Sequence, residues 1–550
     1  MREIDRLTTE RFGVPSLTLM ENAAIATARA VTEIVGNDAA EKSIVVFCGK
    51  GNNGGDGAAA ARLLAIAGAR VDVILFGKVD DTKGDARENF ERLRGWKPQP
   101  NELGTLNLFE CDSEKGWQQL LESVLAAPRD AIVDALFGTG LTRPIEGIQR
   151  EVVEYVNRQR SQRNPSPAIM TPIISIDVPS GLDADSERPI GEAVIADATV
   201  TMTAPKLANV MPPACNYNGR LVVADIGSPA ELISKSESQL FQTTADDARG
   251  WLLKTRYAPG SYKNTHGHAL IVAGARGFTG AAALCGNAAM RSGAGLVTIA
   301  TPVSAQPIVA AQVLAEVMTT ALAETDRGAV SDDALDYVLR FAEKVNVIAV
   351  GPGLSSEDDR TRIFVRELVE RRPTPIVIDA DGLNCLAPWP DALRGSESAP
   401  IILTPHPGEM RRLLGVTEKS ALDDRVKAAR EFAVQHSLIL VLKGSRTLVA
   451  GPDGRVAINP TGNPGLGTAG SGDTMTGVIT GFLAQAREAF KDEMDAFETV
   501  TAAVYVSGLA GDLAAQEFGM RAMLASDIRE HLSKAFLLLD PSGESPTLRA

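Results

Sequence analysis

Short, nearly continuous apolar runs alternate with stretches of helical spacing along most of the chain. In the first half the runs fall at residues 44–48, 71–76, 131–136, 173–178, 198–202 and 221–224, and the clearest helical stretch is the Ala-rich segment 58–67. Strands of this kind, separated by helices, predict a parallel sheet covered on both faces. The rhythm lapses around residues 226–249, where Ser228-Pro229, the Ser/Lys/Glu run 234–238 and Thr243-Thr244 are polar. It resumes at 269–273, 296–300, 345–350, 376–378, 401–403 and 438–442. Residues 447–450 and 455–459 predict a β-hairpin around Pro452-Asp453-Gly454. The pattern thus predicts an α/β domain over 1–225, a linker over 226–249 and a larger α/β domain over 250–540. The Arg/Gln/Ser/Pro stretch 158–167 reads as a surface loop.

Composition changes this picture little. At 550 residues the chain is too long for one core. The net charge of −14 argues against general nucleic-acid binding, which needs a positive surface to release counterions. The five cysteines are scattered without CxxC spacing, which fits reduced thiols in a cytoplasmic protein and no zinc framework. The charged start and the lack of a long apolar run leave no signal peptide or membrane span to expect. All five histidines lie in the second half. Proton transfer in the first half must therefore use carboxylates, lysine, hydroxyls or water.

Two glycine-rich loops stand between a strand and a helix. The first, residues 49–57, contains a literal GxGxxG (Gly49, Gly51, Gly54). The strand after it ends Leu75-Phe76-Gly77-Lys78, without the acid that a dinucleotide fold places on the ribose. Asn52, Asn53 and Asp56 take up the loop instead, and Asp134 and Asp177 end two further strands. C-terminal strand ends converge on one crevice in such a sheet, where amide, carboxylate and Ser180 oxygens suit a hard cation. Either aspartate alone also reads as a loop or helix cap.

This combination resembles the NAD(P)H-hydrate epimerase family (the YjeF N-terminal domain). The matching blocks are LMENA at 19–23, GNNGGDG at 51–57, VDALFGTGL at 133–141 and IDVPSGLD at 176–183. The resemblance implies a Rossmann-like α/β/α domain with a potassium ion on Asn53, Asp134 and Ser180. It implies substrate contacts at Asn52, Asn53, Gly54, Gly55, Asp56, Gly138, Thr139, Gly140, Leu141, Thr142, Arg143, Pro144 and Asp177. The substrate would be nicotinamide cofactor hydrated at C6, NADHX or NADPHX. Inverting that carbon needs an acid/base, and Asp177 is the candidate.

The second loop ends Gly470-Ser471-Gly472-Asp473 and opens an amphipathic helix over 474–484. Backbone N–H groups there can stabilise a phosphoryl group in flight, and Asp473 can take a proton from a hydroxyl nucleophile. Asp473 as a plain helix N-cap is the alternative. Lys443-Gly444-Ser445-Arg446-Thr447 follows a buried strand and suits a nucleotide phosphate, although a solvated turn reads the same way. With GFTGAA at 277–282, RSGAGLV at 291–297, GPGL at 351–354, DADGLN at 379–384 and TPHPGE at 404–409, this half resembles the ribokinase-like superfamily. Within it, the match is to ADP-dependent NAD(P)H-hydrate dehydratases.

By that match Lys443, Gly444, Ser445, Arg446, Thr447 and Gly472 bind the adenine nucleotide, with Mg2+. Ala281, Gly353, His406 and Asp473 contact the hydrated cofactor. The implied reaction phosphorylates the C6 hydroxyl of the S epimer from ADP, then eliminates phosphate, leaving AMP and NAD(P)H. Small-molecule partners and a homo-oligomer are expected, with no nucleic acid and no membrane. Two other readings are a small-molecule kinase carrying a noncatalytic N-terminal domain, and a nucleotide-sensing binding protein.

Overall fold

The structure, a computed structural model, describes residues 1–97, 104–161 and 171–540. Of the predicted loop 158–167, residues 162–167 lie outside the described residues, while 158–161 close the helix Gly147–Ser161. The chain divides into two compact units, Met1–Glu237 and Ser238–Ala550.

Among the described residues the first unit holds seven strands: β1 (Ser43–Cys48), β2 (Arg70–Leu75), β3 (Thr105–Glu110), β4 (Ala131–Ala135), β5 (Ile173–Ile176), β6 (Ala198–Met202) and β7 (Arg220–Ala224). They run in the order β3-β2-β1-β4-β5-β6-β7, and every pairing is parallel. β4 and β5 are buried along their whole length because helices cover both faces. β3 escapes the apolar pattern. It is an edge strand with one neighbour, so Asn107 and Glu110 sit in it at no desolvation cost. Chain order reverses between β1 and β4, and at such a switch point the loops beyond the strand ends part to leave a crevice.

The second unit holds ten strands: β8 (Leu240–Gln242), β9 (His268–Val272), β10 (Leu296–Pro302), β11 (Met318–Leu322), β12 (Val347–Val350), β13 (Ile376–Ile378), β14 (Ile401–Leu403), β15 (Ile439–Leu442), β16 (Leu448–Ala450) and β17 (Val456–Ile458). The order is β11-β10-β9-β12-β13-β14-β15-β16-β17-β8, with the switch point between β9 and β12. Only β16 runs antiparallel to its neighbours, closing the predicted hairpin with β17. β8 corrects the sequence reading of 226–249 as linker. Residues 240–242 pair in parallel with β17, and Thr244 caps the helix Ala245–Lys254 that follows. An edge strand this short and exposed leaves no apolar run to detect.

Two long helices set the second site. Thr279–Arg291 and Ser471–Phe490 approach closely because Gly477 and Gly481 have no side chains. A Cβ on Gly477 would lie 2.2 Å from the Cys285 carbonyl oxygen, and one on Gly481 2.0 Å from Ser292 Oγ. This packing brings the start of the second helix beside the start of the first. The indole of Trp251 stacks on Phe482 at 4.1 Å between ring centroids and seals the other side of the same helix. Among the described residues, no helix is long and apolar enough to cross a membrane.

Candidate active sites

In the first unit a cavity of about 590 Å³ opens at the C-terminal strand ends. Asn52, Asn53, Asp56, Gly138, Thr139, Gly140, Leu141 and Asp177 line it. Most of the glycine-rich segment is helix and not loop. The helix starts at Asn52, so Gly54, Gly55 and Gly57 lie inside its first turns and are buried. A Cβ on Gly54 would stand 1.8 Å from the Gly49 carbonyl oxygen, and one on Gly55 2.8 Å from Ala86 Cα. These two glycines therefore let the helix pack tightly and do not line the cavity. Thr142, Arg143 and Pro144 are exposed beyond its rim.

Asp134 is fully buried at the end of β4. Its carboxylate accepts from Ser180 Oγ at 2.6 Å, Ser180 N at 2.9 Å, Ser175 Oγ at 2.8 Å and Leu136 N at 3.3 Å. Burial raises the Asp134 pKa, and these hydrogen bonds oppose the rise. Ser180 Oγ also accepts from Phe137 N at 2.9 Å, so it ties the end of β4 to the turn after β5. Asn53 is buried nearby, and neither its Oδ1 nor its Nδ2 has a hydrogen-bond partner. A buried amide with no partner is costly. An unmatched buried oxygen beside the 138–141 turn, where a Cβ on Gly138 would fall 3.2 Å from Asn53 Oδ1, is what an oxygen-coordinated cation would satisfy, so Asn53 fits the implied potassium ion.

Asp177 sits just past β5 at φ 68°, a left-handed conformation that costs a non-glycine residue energy. Lys206 was not singled out from the sequence. Its ammonium is almost fully buried and donates to Asp177 Oδ1 at 2.5 Å, Thr201 Oγ1 at 2.9 Å and the Met202 carbonyl at 2.9 Å. All three donors of the buried cation are thereby used. Asp56 lines the same cavity, and burial pushes its carboxyl well above the usual range, with Asp177 adding repulsion.

The second site forms where β9, β12, β13, β14 and β15 end. Gly274 N donates to the Pro352 carbonyl at 2.9 Å, joining the loops after β9 and β12. A Cβ on Gly353 (φ 58°) would fall 3.0 Å from Ala281 Cβ, so these two predicted residues adjoin. Asp379, past β13, is the buried anchor, although the sequence reading assigned it no role. It accepts from Lys443 Nζ at 2.8 Å and Thr476 Oγ1 at 2.7 Å. Burial works against both charges of this pair. Nevertheless Lys443 holds the Asp379 carboxyl below its usual pKa, while Asp379 and Glu409 hold Lys443 above its own.

Asp473 lies in the first turn of Ser471–Phe490, after Gly470 in a left-handed conformation. Burial, with repulsion from Asp379, pushes its carboxyl up to about 7. Gly472 is next to the ion pair, since a Cβ there would be 3.4 Å from Lys443 Nζ. His406 Nδ1 accepts from Gly408 N at 2.9 Å and so caps the helix Pro407–Leu413. Its Nε2 stands 3.5 Å from Glu409 Oε1. Burial, with Lys443 nearby, lowers the His406 pKa, consistent with a neutral ring that can accept. In the predicted nucleotide loop, Arg425 donates to the Ser445 carbonyl at 2.8 Å, Thr447 Oγ1 to that of Gly444 at 3.1 Å, and Arg446 to that of Pro460 at 2.6 Å. These bonds hold the loop in shape.

Comparison with known proteins covers both units. Residues 16–208 match the family model described as YjeF-related protein N-terminus, and residues 269–534 the one described as NAD(P)H-hydrate dehydratase. A Moorella thermoacetica protein named bifunctional NAD(P)H-hydrate repair enzyme Nnr is 41% identical over 534 residues, covering 97% of this chain and 94% of its own. A Thermofilum pendens protein of the same name is 37% identical over 542 residues, covering 98% and 96%. A solved structure of a Bacillus subtilis ADP/ATP-dependent NAD(P)H-hydrate dehydratase, co-crystallised with ATP/Mg2+, is 30% identical. It covers 55% of this chain and all of its own, with a TM-score of 0.46.

Proposed function

This chain belongs to the family of bifunctional NAD(P)H-hydrate repair enzymes, and from that premise we propose how its two sites divide the work. The first unit interconverts the R and S epimers of hydrated NADH and NADPH at C6. The second dehydrates the S epimer with a nucleotide as co-substrate. The observation that carries this reading is that each sheet has a carboxylate next to a lysine at its C-terminal strand ends, Asp177 with the buried Lys206 and Asp473 with the half-buried Lys443.

In the first site Asp177 is the base, and Lys206 orients it. Asn52, Asn53, Asp56, Asp177 and the 138–141 turn surround the hydrated ring. A potassium ion held by Asn53, Asp134 and Ser180 would supply a fixed positive charge at the end of β4.

In the second site Asp473 takes the proton from the C6 hydroxyl, whose oxygen attacks the terminal phosphorus of ADP and displaces AMP. Lys443, Gly472 and the 444–447 turn hold the nucleotide, while Ala281, Gly353 and His406 hold the hydrated ring. The C6–O bond then breaks, phosphate leaves with the electron pair, and loss of the C5 proton restores the C5=C6 double bond. Mg2+ would arrive with ADP and neutralise charge on its phosphates.

The test is a repair assay on separated R and S epimers with ADP, ATP or no nucleotide, following return of the dihydronicotinamide absorbance. The S form should recover only with nucleotide, and the R form should recover at a rate set by the first unit. A phosphorylated small molecule without return of NAD(P)H would support the kinase reading instead.

A further inference from the structure

The first cavity contains a carboxylate from outside the sheet. The N-terminal helix Arg2–Phe12 contributes Met1, Arg2 and Asp5 to the lining, and Arg2 reaches the Thr139 carbonyl across the cavity rim at 3.5 Å. Asp5 Oδ1 is shielded from solvent and has no hydrogen-bond partner. Burial raises the Asp5 pKa; the N-terminal ammonium and Lys206 pull it down, and Asp177 pushes it up. Asp5 is therefore close enough to feel both members of the Asp177–Lys206 pair. Of the other carboxyls lining the cavity, Asp56 lies on the glycine-rich helix, and Asp85 acts on Asp56.

Inverting C6 is a two-sided problem. The hydroxyl departs from one face and water enters from the other, so one group must give a proton and another must take one. Asp177 rises from the end of β5 with its Oδ1 bound to a lysine, which suits the accepting role. Asp5 comes from a different wall, with no cation bonded to it. From this arrangement we infer that Asp5 is the general acid of epimerisation, protonating the C6 hydroxyl while Asp177 takes the proton of the incoming water.

Asp5–H transfers its proton as the C6–O bond breaks, and the bonding pair leaves with the oxygen as water. The N1 lone pair forms the C6=N1 iminium. A second water adds to the opposite face, its electron pair makes the new C6–O bond, and its extra proton goes to Asp177. In the reverse direction Asp177 is the acid and Asp5 the base, so no outside reagent is consumed. The inference rests on the epimerase reading of this cavity.

The test measures R-to-S conversion by Asp5→Asn and, in parallel, by Asp177→Asn. Asp5→Asn should lower kcat about 100-fold or more with KM within about twofold, and should lose the fall in rate at high pH that marks a required protonated acid. Asp5→Glu should regain part of the rate together with that limb. Wild-type kcat in Asp5→Asn, or a change in KM alone, overturns the inference. If Asp5→Asn lowers the unfolding midpoint, Asp5→Glu decides: a profile without the high-pH limb overturns the proposal. Undiminished epimerisation by Asp177→Asn would instead refute the role of Asp177, and no R-to-S conversion by the unaltered protein would remove the epimerase reading itself. An inactive Asp177→Asn beside an active Asp5→Asn would refute only the role of Asp5.

Discussion

Both units place a lysine next to a carboxylate at the C-terminal ends of parallel strands, yet they pair the two differently. In the first, Lys206 binds the proposed base itself, with Asp177 Oδ1 at 2.5 Å. In the second, Lys443 binds Asp379 at 2.8 Å, and Asp473 is left next to the pair with its pKa pushed up to about 7 by burial and by Asp379. A lysine bonded to the base holds it in place. A lysine bonded to a neighbour leaves the base close to neutrality, where it can exchange a proton with an alcohol. What a carboxylate does is thus set by which residue its nearby cation is bonded to.

The largest expected effect that breaks the symmetry is loss of Asp473. Asp473→Asn should lower S-form dehydration by about 10³-fold or more, in the range of a removed general base together with its electrostatic support. R/S interconversion, followed by chromatography of the two epimers, should continue at the wild-type rate. Next comes the ion pair beneath it. Asp379→Asn leaves the half-buried Lys443 without the countercharge it is bonded to, with Glu409 at 3.8 Å as a remaining partner, which should cost about 1.5–3 kcal/mol of stability, measured by denaturant unfolding. The smallest effect is one of pH. Asp473 must be ionised to act, so dehydration should rise with pH through about 7. Removing the Asp379 charge lowers the repulsion on Asp473, so in Asp379→Asn the limb should move to lower pH. A limb that stays in place would mean that burial alone sets the value.

The same sign logic applies to stability. The Asp379 carboxyl is held below its ordinary pKa in the folded state. Its contribution is therefore present above the unfolded-state value near 3.8 and is lost as pH falls through the folded value. The Asp473 carboxyl runs the opposite way: raised to about 7, it makes the folded state relatively less stable as pH climbs from about 4 to 7.

Much of the fold was legible in the chain because a strand buried on both faces must be nearly all apolar, with a polar residue such as Asp134 or Ser175 only where it finds hydrogen-bond partners. β1, β4, β5, β9 and β12 to β15 announce themselves in this way. β3, β8 and β11 did not. Each is an edge strand of its sheet, so it pairs on one side only and keeps polar or exposed positions. Glycine was legible as a feature but not as a purpose. The resemblance places Gly54 and Gly55 among the substrate contacts, whereas their missing Cβ atoms accommodate Gly49 and Ala86. Lys206 and Asp5 carried no local signal, since a lone charged residue reads as surface until something is shown to bury it; Asp379 stands in the strand-end DADGLN block, but its bond to Lys443 is invisible there.

The sequence by itself determined the two α/β units, the strand-end loops and the carboxylates those loops carry, because hydrophobic period and glycine spacing are local properties. Only the tertiary structure decided which charges meet. Lys206 reaches Asp177 across 29 positions and Lys443 reaches Asp379 across 64. Asp5 comes near the first of these pairs from the far N-terminus. A proton's preference is set by distance and burial, and both quantities exist only once the chain has folded.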